Sequence, residues 1–546
     1  MKYGTILFVE LLRYGVNYTM NLRNLSQEEL IKKINMLEER IKRQDNEINV
    51  LSEQLNWYSQ QIRLQQKKLF GSSSEKTVLP DQISLFDEIE IESTPIKAEP
   101  KLEEVTYKRK KKNNKRGIDI SSLPAVTKIY DLENKNCPDC GEPLRKIGEN
   151  IRKELVYYPA RYEVIEHVQY VYTCDRCEED SLKSKIFKAD MKASVIYKSF
   201  ASPSLLSYII DNKFNKALPL YRQEVMFNQI GLKLSRQTMA NWMIKLHDEY
   251  FKRMTDYMHK TLLQSEYLHA DETTNQVLNV PDQKPTTKSY MWVYKTGRSE
   301  DKQIVHFIYE NTRGHEHAKK HLEGYHNILQ TDGYQAYDKL DDIRHMGCWA
   351  HCRRKYLEAL DGAPSDTDLK GTASYRLLHK INKLFTLEKK LKGKSYEEIK
   401  DTRQKEAKPI IDDFFKDVKE CAKVAVEKTK LSQALTYSIN QEENLRLYLE
   451  DGRIEISNNR AENSIRPFCV GRRNWLFSNT VKGAEASAAI YSLLETAKLN
   501  NLKPYDYFEY LLTALTEIDI NDDKELEKIM PWSKSLPENI YLTKKS

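Results

Sequence analysis

The sequence has no run of about 18 uncharged apolar residues, so we expect neither a membrane-spanning helix nor a membrane partner. Glycine and proline are scarce, at 18 and 17 of 546 residues, which excludes a collagenous or low-complexity chain and favours helix. Eight cysteines are too few for a disulfide scaffold and suit a reducing compartment. Lysine and arginine number 87 against 80 acidic residues, and a net charge of +7 identifies no polyanionic partner. We expect a cytoplasmic protein.

Apolar residues make up 40% of the chain, enough for several cores, and the length predicts about three or four folded units. The fold class expected is multidomain α+β. Residues 1–24 match no later pattern and are predicted to form a poorly defined N-terminus. Because Met20 directly precedes the first helical segment, translation is expected to start at either Met1 or Met20.

Residues 25–71 carry an apolar stripe in steps of three and four. A repeat of 3.5 residues keeps one face of a helix towards a partner helix, so the stripe predicts a coiled coil and, through it, a homo-oligomer. A long helix packed on the protein's own body would show the same stripe. Its apolar members are Leu30, Ile34, Leu37, Ile41, Ile48, Leu51, Leu55, Ile62 and Leu69.

Residues 72–130 change from serine-rich to acidic and then to strongly basic, which predicts a charged linker. Lys108 to Lys112 and Lys115-Arg116 form a basic cluster within it. Such a cluster suits phosphate contacts through counterion release, and a solvated charge run has the same composition.

Two Cys-x-x-Cys pairs lie within residues 131–190, which are predicted to be a zinc-ribbon-like module. Four thiolates in this arrangement close a tetrahedron around one structural Zn2+, and a closed site leaves no position for catalysis. The 33 residues between the inner cysteines exceed the usual gap, so redox chemistry and unliganded thiols are the alternatives. The predicted ligands are Cys137, Cys140, Cys174 and Cys177.

Residues 191–260 are predicted to be helical, with a turn at Gly231 and a helix cap at Ser235. A helix, a glycine-containing turn and a capped helix are typical of a helix-turn-helix. Its second helix would present Arg236, Gln237 and Asn241 to a DNA major groove. Helical hairpins that bind nothing have the same pattern.

From residue 261 the pattern alternates between strands and helices. It predicts three strands, a helix, a strand, a short helix and a strand, which is the order of an RNase-H-like α/β core. This catalytic domain is expected at 261–495, with a helical insertion at 362–450 and a helical tail at 496–546. The predicted elements are Tyr267–Ala270, Ser289–Lys295, Ile304–Tyr309, Gly314–Leu322, Asn327–Thr331, a short helix ending at Leu340, and Arg344–Trp349.

Asp271 and Asp332 follow the first and fourth of these strands, which are neighbours in such a core. Glu462, on a later helix, is the candidate third carboxylate. Cleavage of a phosphodiester needs an activated nucleophile and neutralised charge, which two Mg2+ ions (or Mn2+) held by carboxylates supply. Cys348, His351 and Cys352 lie close together in sequence, but without another ligand pair we expect no zinc there.

Several short blocks resemble those of bacterial DDE transposases of the insertion-sequence-66 family. The resemblance covers about residues 25–515, and it departs from the family at Asn463, where Arg is more frequent, and at Cys352, where Ala is common. The blocks are His269–Thr273, Thr331–Tyr334, Cys348–Lys355, Asn458–Glu462, Gly471–Phe477 and Thr496–Asn500, with Leu69–Gly71, Ser74–Lys76 and Leu218–Arg222 nearer the N-terminus.

The resemblance implies a transposase that cuts at transposon ends and transfers 3′-hydroxyl ends into target DNA, with Asp271, Asp332 and Glu462 as the metal-binding triad. Its partners would be double-stranded DNA, as terminal inverted repeats and target, and accessory proteins of the same element. The protein would associate with the nucleoid when bound. The alternatives are a nuclease without strand transfer and a non-enzymatic, zinc-containing DNA-binding repressor.

Basic and aromatic residues around the triad are candidates for DNA contact. Trp475 would stack on an unpaired base or form part of the core. His351 would neighbour the metal or orient the substrate. Phosphate contacts are expected from Arg353, Arg354, Lys355, Arg460, Arg466, Arg472 and Arg473.

Overall fold

The computed structural model describes residues 32, 35–45, 48, 162–173 and 186–542, apart from 335, 338, 339, 341, 342 and 363–367. The chain divides into two compact units, of which one is 86–191 and the other comprises 1–85 and 192–546. In the smaller unit, β1 (Val171–Thr173) and β2 (Ile186–Lys188) form an antiparallel pair. None of the helices in these described ranges is both long and apolar enough to cross a lipid bilayer.

In the larger unit, the described residues 35–45 are helical, as the stripe predicts, while most of the predicted coiled coil lies outside the described residues. Four helices then precede the sheet. Gly231 has φ +84° in the turn before α3, and the Ser235 hydroxyl accepts a hydrogen bond from Thr238 N at 3.1 Å, so the predicted turn and cap are confirmed. The helices are α1 (Pro203–Ile210), α2 (Leu220–Gln229), α3 (Arg236–Leu246) and α4 (Lys252–Leu262).

The central sheet has the strand order β5-β4-β3-β6-β7, with β8 pairing to the far end of β3. β3, β4 and β5 are antiparallel to one another, whereas β6 and β7 run parallel to β3. The elements are β3 (Tyr267–Asn279), β4 (Lys288–Thr296), β5 (Val305–Glu310), α5 (His315–His321), β6 (Ile328–Gln330) and β7 (Arg344–Met346).

The described residues after β7 are mostly helical up to residue 449, as the predicted insertion requires, and these helices pack around aromatic side chains of their own. Trp349 lies against Phe414 and Phe415, with ring centroids 5.5 and 6.0 Å apart, and its indole N–H donates to Leu445 O at 3.1 Å. The helices are α6 (Trp349–Asp361), α7 (Ala373–Leu391), α8 (Tyr396–Thr402), α9 (Lys408–Ala422), α10 (Lys430–Asn440) and α11 (Glu442–Arg446).

After the insertion the chain returns to the sheet. α12 (Asn459–Trp475) packs on β3 and β4 and contains Pro467, which cannot donate the usual helical hydrogen bond to the carbonyl of Asn463. β8 (Ser478–Thr480) follows, and then α13 (Val481–Leu499), whose many alanines allow close packing on β5. α14 (Pro504–Ala514) and α15 (Asp523–Ile529) complete the described chain.

Candidate active site

Asp271 lies on β3, and Asp332 lies two residues beyond the end of the neighbouring parallel strand β6. In the pairing of β3 with β6, His269 is opposite Gln330. Asp271 comes two residues after His269, and Asp332 comes two residues after Gln330, so the two aspartates are at equivalent positions relative to this pair. The first strand is longer than predicted, because β3 continues past Asp271 to Asn279 by pairing with β4 and β8. Asp271 therefore lies within the central strand rather than at its end.

The turn after β6 fixes Asp332 through hydrogen bonds on both sides. Its Oδ1 accepts from Tyr334 N at 3.0 Å, and its carbonyl oxygen accepts from the Tyr437 hydroxyl at 3.0 Å. Gly333 has φ +86°, and a Cβ there would approach that hydroxyl to 3.2 Å. A glycine is therefore needed between Asp332 and Tyr334.

Glu462 lies in the first turn of α12, and Asn458 fixes the start of that helix against β3. The Asn458 side chain donates from Nδ2 to Ala270 O at 2.8 Å and accepts from His269 Nδ1 at 3.0 Å. Its backbone N–H donates to Cys348 Sγ at 3.2 Å. The helix that carries Glu462 is thus held beside the residue that precedes Asp271.

A cleft of about 560 Å³ opens over this region, and both Asp271 and Glu462 line it. The pKa of Asp271 is raised well above its ordinary value, first by burial and then by the negative charges of Glu272, Asp332 and Glu462. Repulsion among carboxylates at one place is relieved when a cation binds between them. The structure therefore places Asp332 and Glu462 within electrostatic reach of Asp271, and repulsion of this kind favours a bound cation.

Glu462 is flanked by two side chains of α6. Its Oε1 lies 3.7 Å from His351 Nδ1, and its Oε2 lies 3.6 Å from an Arg354 guanidinium nitrogen. Arg354 also donates to His351 Nε2 at 3.2 Å. Burial lowers the pKa of His351, although the charge of Glu462 opposes this shift.

The donor set of the triad fits a hard divalent cation. Asp271, Asp332 and Glu462 offer only carboxylate oxygens, which Mg2+ prefers. Among the described residues, the Glu462 Oε1 atom is buried and has no hydrogen-bond partner, so it is free to act as a ligand.

Glu272 is a fourth carboxylate beside the triad, and sequence reasoning assigned it no role. Arg313 pairs with its Oε1, and the Tyr337 hydroxyl donates to its Oε2 at 3.0 Å. Burial raises its pKa, although Arg313 opposes this. Its position directly after Asp271 was the available signal, but alternation along β3 would have pointed the two side chains to opposite faces.

The predicted basic residues divide into those that line the cleft and those held elsewhere. Arg354, Arg466 and Arg473 line it, and the last two are exposed. Arg460 donates to Gln303 Oε1 at 2.9 Å, and Arg472 donates to the hydroxyls of Thr273 and Thr274 at 3.2 and 3.1 Å. The Lys355 ammonium lies over the Tyr437 ring, 4.7 Å from its centroid.

Arg353 requires a correction. Its side chain is 2% exposed, and its Nε donates to Asn382 Oδ1 at 2.6 Å inside the helical insertion. A buried guanidinium cannot reach a phosphate without unpacking α6 from α7, so the expected phosphate contact at Arg353 is wrong.

Trp475 is half-buried, so its exposure alone does not distinguish base stacking from a part in the core. Its ring contacts Phe214, with centroids 6.5 Å apart, and the Lys213 ammonium lies 5.6 Å from its centroid. The next two side chains, Leu476 and Phe477, are 64% and 43% exposed. The packing of Trp475 favours a part in the core, and base stacking stays a prediction.

The helix-turn-helix candidates share the exposed face of α3. Arg236, Gln237 and Asn241 are all exposed, whereas Trp242 on the opposite face packs against Phe200. The face is accessible, and its contact with DNA stays a prediction. The predicted zinc ligands Cys137, Cys140, Cys174 and Cys177 lie outside the described residues.

Comparison with known proteins shows the family. The family model described as "Transposase IS66 family" matches residues 198–486, more than half of the chain. The chain belongs to the IS66 transposase family. Three further models match other parts: "zinc-finger binding domain of transposase IS66" at 134–178, "IS66 C-terminal element" at 492–532 and "Transposase C of IS166 homeodomain" at 57–126. IS66 membership supports a transposase role and, with it, DNA as a partner and the use of zinc and a divalent metal.

Three relatives of this IS66 chain come from Sinorhizobium fredii, and each is named as an uncharacterized protein. The protein y4qI is 29% identical over 492 residues, covering 86% of this chain and 88% of its own. The proteins y4hP and y4jD are 27% and 26% identical over 495 and 492 residues. Each of these two alignments covers 85% of this chain, with 86% of y4hP and 92% of y4jD.

Proposed function

We propose that this IS66 protein hydrolyses a DNA strand at each end of its element and joins the freed 3′-hydroxyl ends to target DNA. The observation that carries the proposal is that Asp271 and Glu462 line one cleft and that the charges of Asp332 and Glu462 both act on Asp271. Water is the nucleophile of the first step and the 3′-hydroxyl that of the second. Each step is an in-line displacement that exchanges one phosphorus–oxygen bond for another, so no covalent protein intermediate is required.

The catalytic domain is proposed to be RNase-H-like. The order β5-β4-β3-β6-β7 supports this, because three antiparallel strands are followed by two that run parallel to the first. Asp271 on β3, Asp332 in the turn after the adjacent strand β6, and Glu462 on α12 would then hold two Mg2+ or Mn2+ ions. When bound, these ions neutralise charge at the attacking and leaving oxygens.

The other parts of the chain are proposed to bind and pair the ends. Exposed Arg466 and Arg473 would position the DNA backbone beside the triad, while α3 would read the terminal repeat. A structural zinc would sit at the four module cysteines, and accessory proteins of the element would join the complex.

Self-association through the N-terminal helix is part of the proposal. Leu37, Ile41 and Ile48 of the predicted seam are 50%, 56% and 61% exposed, as the seam of a coiled coil is before its partner binds. The doubly charged variant with Leu37→Asp and Ile41→Asp should lower the mass of the full chain measured by light scattering. An unchanged mass would remove the coiled coil as the cause of association.

Cleavage is tested on duplexes carrying the inverted repeats that bracket the gene. With Mg2+, the wild type should nick these ends, whereas Asp271→Asn, Asp332→Asn and Glu462→Gln should each lower the rate at least about a thousandfold while still binding the duplex. Glu443→Gln, an exposed carboxamide control in the insertion, should cleave like the wild type. Cleavage by any of the three triad variants at the wild-type rate would contradict the assignment.

Strand transfer is tested separately with a pre-cut end that carries a free 3′-hydroxyl. The proposal expects this end to become joined to a supercoiled plasmid in the presence of Mg2+. Cleavage without joining would instead identify a nuclease. Binding to the repeats with neither reaction, under any divalent metal, would identify a repressor.

A further inference from the structure

Cys348, His351 and Glu462 converge at the wall of the cleft, although the sequence offers no ligand pair beside Cys348 and His351. One ligand atom from each of the three lies within 4.8 Å of the other two. We propose that they form a second cation site, of the type taken by a borderline-soft ion such as Zn2+, which shares Glu462 with the carboxylate triad.

Two buried side-chain atoms without hydrogen-bond partners support this site. His351 Nδ1 and Glu462 Oε1 are buried, lie 3.7 Å apart, and have no hydrogen-bond partner among the described residues. This separation is long for a hydrogen bond, but a tetrahedral zinc ion holds neighbouring ligand atoms roughly 3.3 to 3.6 Å apart. The sulfur must move by only about 1 Å to reach the same ion.

The chemistry of the donors separates this site from the triad. A thiolate sulfur, an imidazole nitrogen and a carboxylate oxygen are ligands of zinc, whereas Mg2+ takes oxygen ligands. Three protein ligands leave the fourth position to water. Asp271 and Asp332 therefore hold the hard ion, and Glu462 is contested between the two sites.

The fold selects Cys348 over its neighbour Cys352. Cys352 is also fully buried, but its Sγ lies 3.4 Å from Ser438 Oγ inside the insertion and takes no part in the cluster. The two cysteines are therefore a matched pair, with the same residue type and burial on the same segment, and differ in whether they face Glu462.

Arg354 must release His351 when the site fills. An arginine only donates, so in the present arrangement His351 Nε2 accepts and Nδ1 carries the ring proton. A cation at Nδ1 requires the ring proton to be carried at Nε2, which it reaches by exchange with solvent, and the Cys348 thiol releases its own proton to solvent. Arg354 has a side chain 37% exposed at the cleft, so it can turn into solvent.

Cobalt(II) is the probe for the site, because its bonds to thiolate sulfur absorb in the near ultraviolet. The full chain, with its zinc module loaded, should bind one more Co2+ than Cys348→Ser or His351→Ala, and the thiolate band should disappear in Cys348→Ser. Cys352→Ser should behave like the wild type. Because every variant retains the module, the difference between proteins reports the new site alone.

Equal Co2+ uptake and equal absorption in wild type and Cys348→Ser would overturn the proposal. Circular dichroism of each variant checks folding, and Glu462→Gln gives an independent test, since its carboxamide should also weaken the additional Co2+ by roughly tenfold or more. If the thiolate band disappeared in Cys352→Ser and persisted in Cys348→Ser, the metal ligand would be Cys352. That result would also overturn the proposal.

The consequence for catalysis rests on the proposed function. Zn2+ at this site withholds Glu462 from the triad, so micromolar Zn2+ should inhibit Mg2+-dependent cleavage, and chelation should restore it. Relative to its own zinc-free rate, Cys348→Ser should need roughly tenfold more Zn2+ for half inhibition, and Cys352→Ser should not. If no cleavage is found at all, the Co2+ difference still decides the site, so the two failures are distinguishable.

Discussion

Asn458 donates a hydrogen bond from its side-chain amide to the carbonyl oxygen of Ala270, 2.8 Å away. Ala270 directly precedes Asp271, and Asn458 directly precedes the helix that carries Glu462. One amide therefore sets the spacing between two carboxylates that are distant in sequence. Its backbone N–H, bonded to Cys348 Sγ, ties the start of α6 to the same point.

We predict that Asn458→Ala lowers both the free energy of unfolding and the cleavage rate. The change leaves Ala270 O and His269 Nδ1 buried without partners, which costs about 1–3 kcal/mol each at most. Urea unfolding measures the first effect and cleavage of end DNA the second. Asn474→Ala, which removes a bond to Ala217 O at the exposed end of the same helix, is the control. Equal cleavage by the two variants would show that Asn458 has no role in spacing the carboxylates.

Arg473 and Arg353 should respond to alanine in opposite ways. Arg473→Ala removes an exposed charge from the cleft, so DNA affinity should fall and the slope of log affinity against log salt should lessen by about one. Arg353→Ala should instead destabilise the insertion by about 1–3 kcal/mol, because Asn382 Oδ1 loses its buried donor. Salt-dependent binding and thermal unfolding measure the two effects. If folded Arg353→Ala also showed a smaller slope of log affinity against log salt, Arg353 would contact a phosphate after all.

The face of α3 should determine sequence preference. Gln237→Ala and Asn241→Ala should each reduce the preference for terminal-repeat over unrelated DNA by about 1–3 kcal/mol, because an amide side chain can bond two atoms of one base. Lys245→Ala, an exposed change in the last turn of the same helix, should weaken both DNAs equally. Competition binding with the two duplexes measures the preference. An unchanged preference in both Gln237→Ala and Asn241→Ala would mean that α3 is an ordinary packing helix.

Acid should destabilise the protein partly through His306. Burial, followed by the neighbouring His259 and His321, holds its pKa well below the ordinary value. The unfolded chain then binds more protons than the native state, so stability rises with pH and is lost as the pH falls below about 6.5. Between pH 7.5 and 5.5, the free energy of unfolding should fall by about 1.4 kcal/mol less in His306→Gln than in the wild type.

Denaturant unfolding at the two pH values measures this difference. The exposed His379→Gln should match the wild type, because this side chain is in contact with water in the folded and the unfolded chain. If His306→Gln lost as much stability as the wild type between the two pH values, the acid sensitivity would come from other groups.

The strands were predictable where side chains alternate and aromatic or β-branched residues gather. The strand predicted at 289–295 is observed at 288–296, and that at 304–309 at 305–310. The last predicted strand ends early, at Met346, because Trp349 already begins α6. The length of β3 was not predictable, since its polar half is held in place by β4 and β8 rather than by its own apolar residues.

The proximity of Asp271 to Asp332 was predictable from the strand order, whereas the side chains around the candidate site were less so. Three consecutive basic residues on α6 span about 200° of helix, so they cannot all face one cleft. Which of them turns inward depends on the packing of α7, and this places Arg353 inside. The meeting of His351 with Glu462 likewise depends on how the insertion returns the chain to β3, which no local pattern encodes.

Pro467 is a point in α12 at which the helix can bend. Because residue 467 has no amide hydrogen, the carbonyl of Asn463 is already without its helical partner, and the turn carrying Glu462 can tilt against the remainder of α12 without breaking a further bond there. Under the two proposals above, such a tilt would shift the Glu462 carboxylate between the carboxylate triad and the pair formed by Cys348 and His351. If both proposals hold, ions would exchange at this centre while Arg473, beyond Pro467 on the same helix, stays in contact with the DNA.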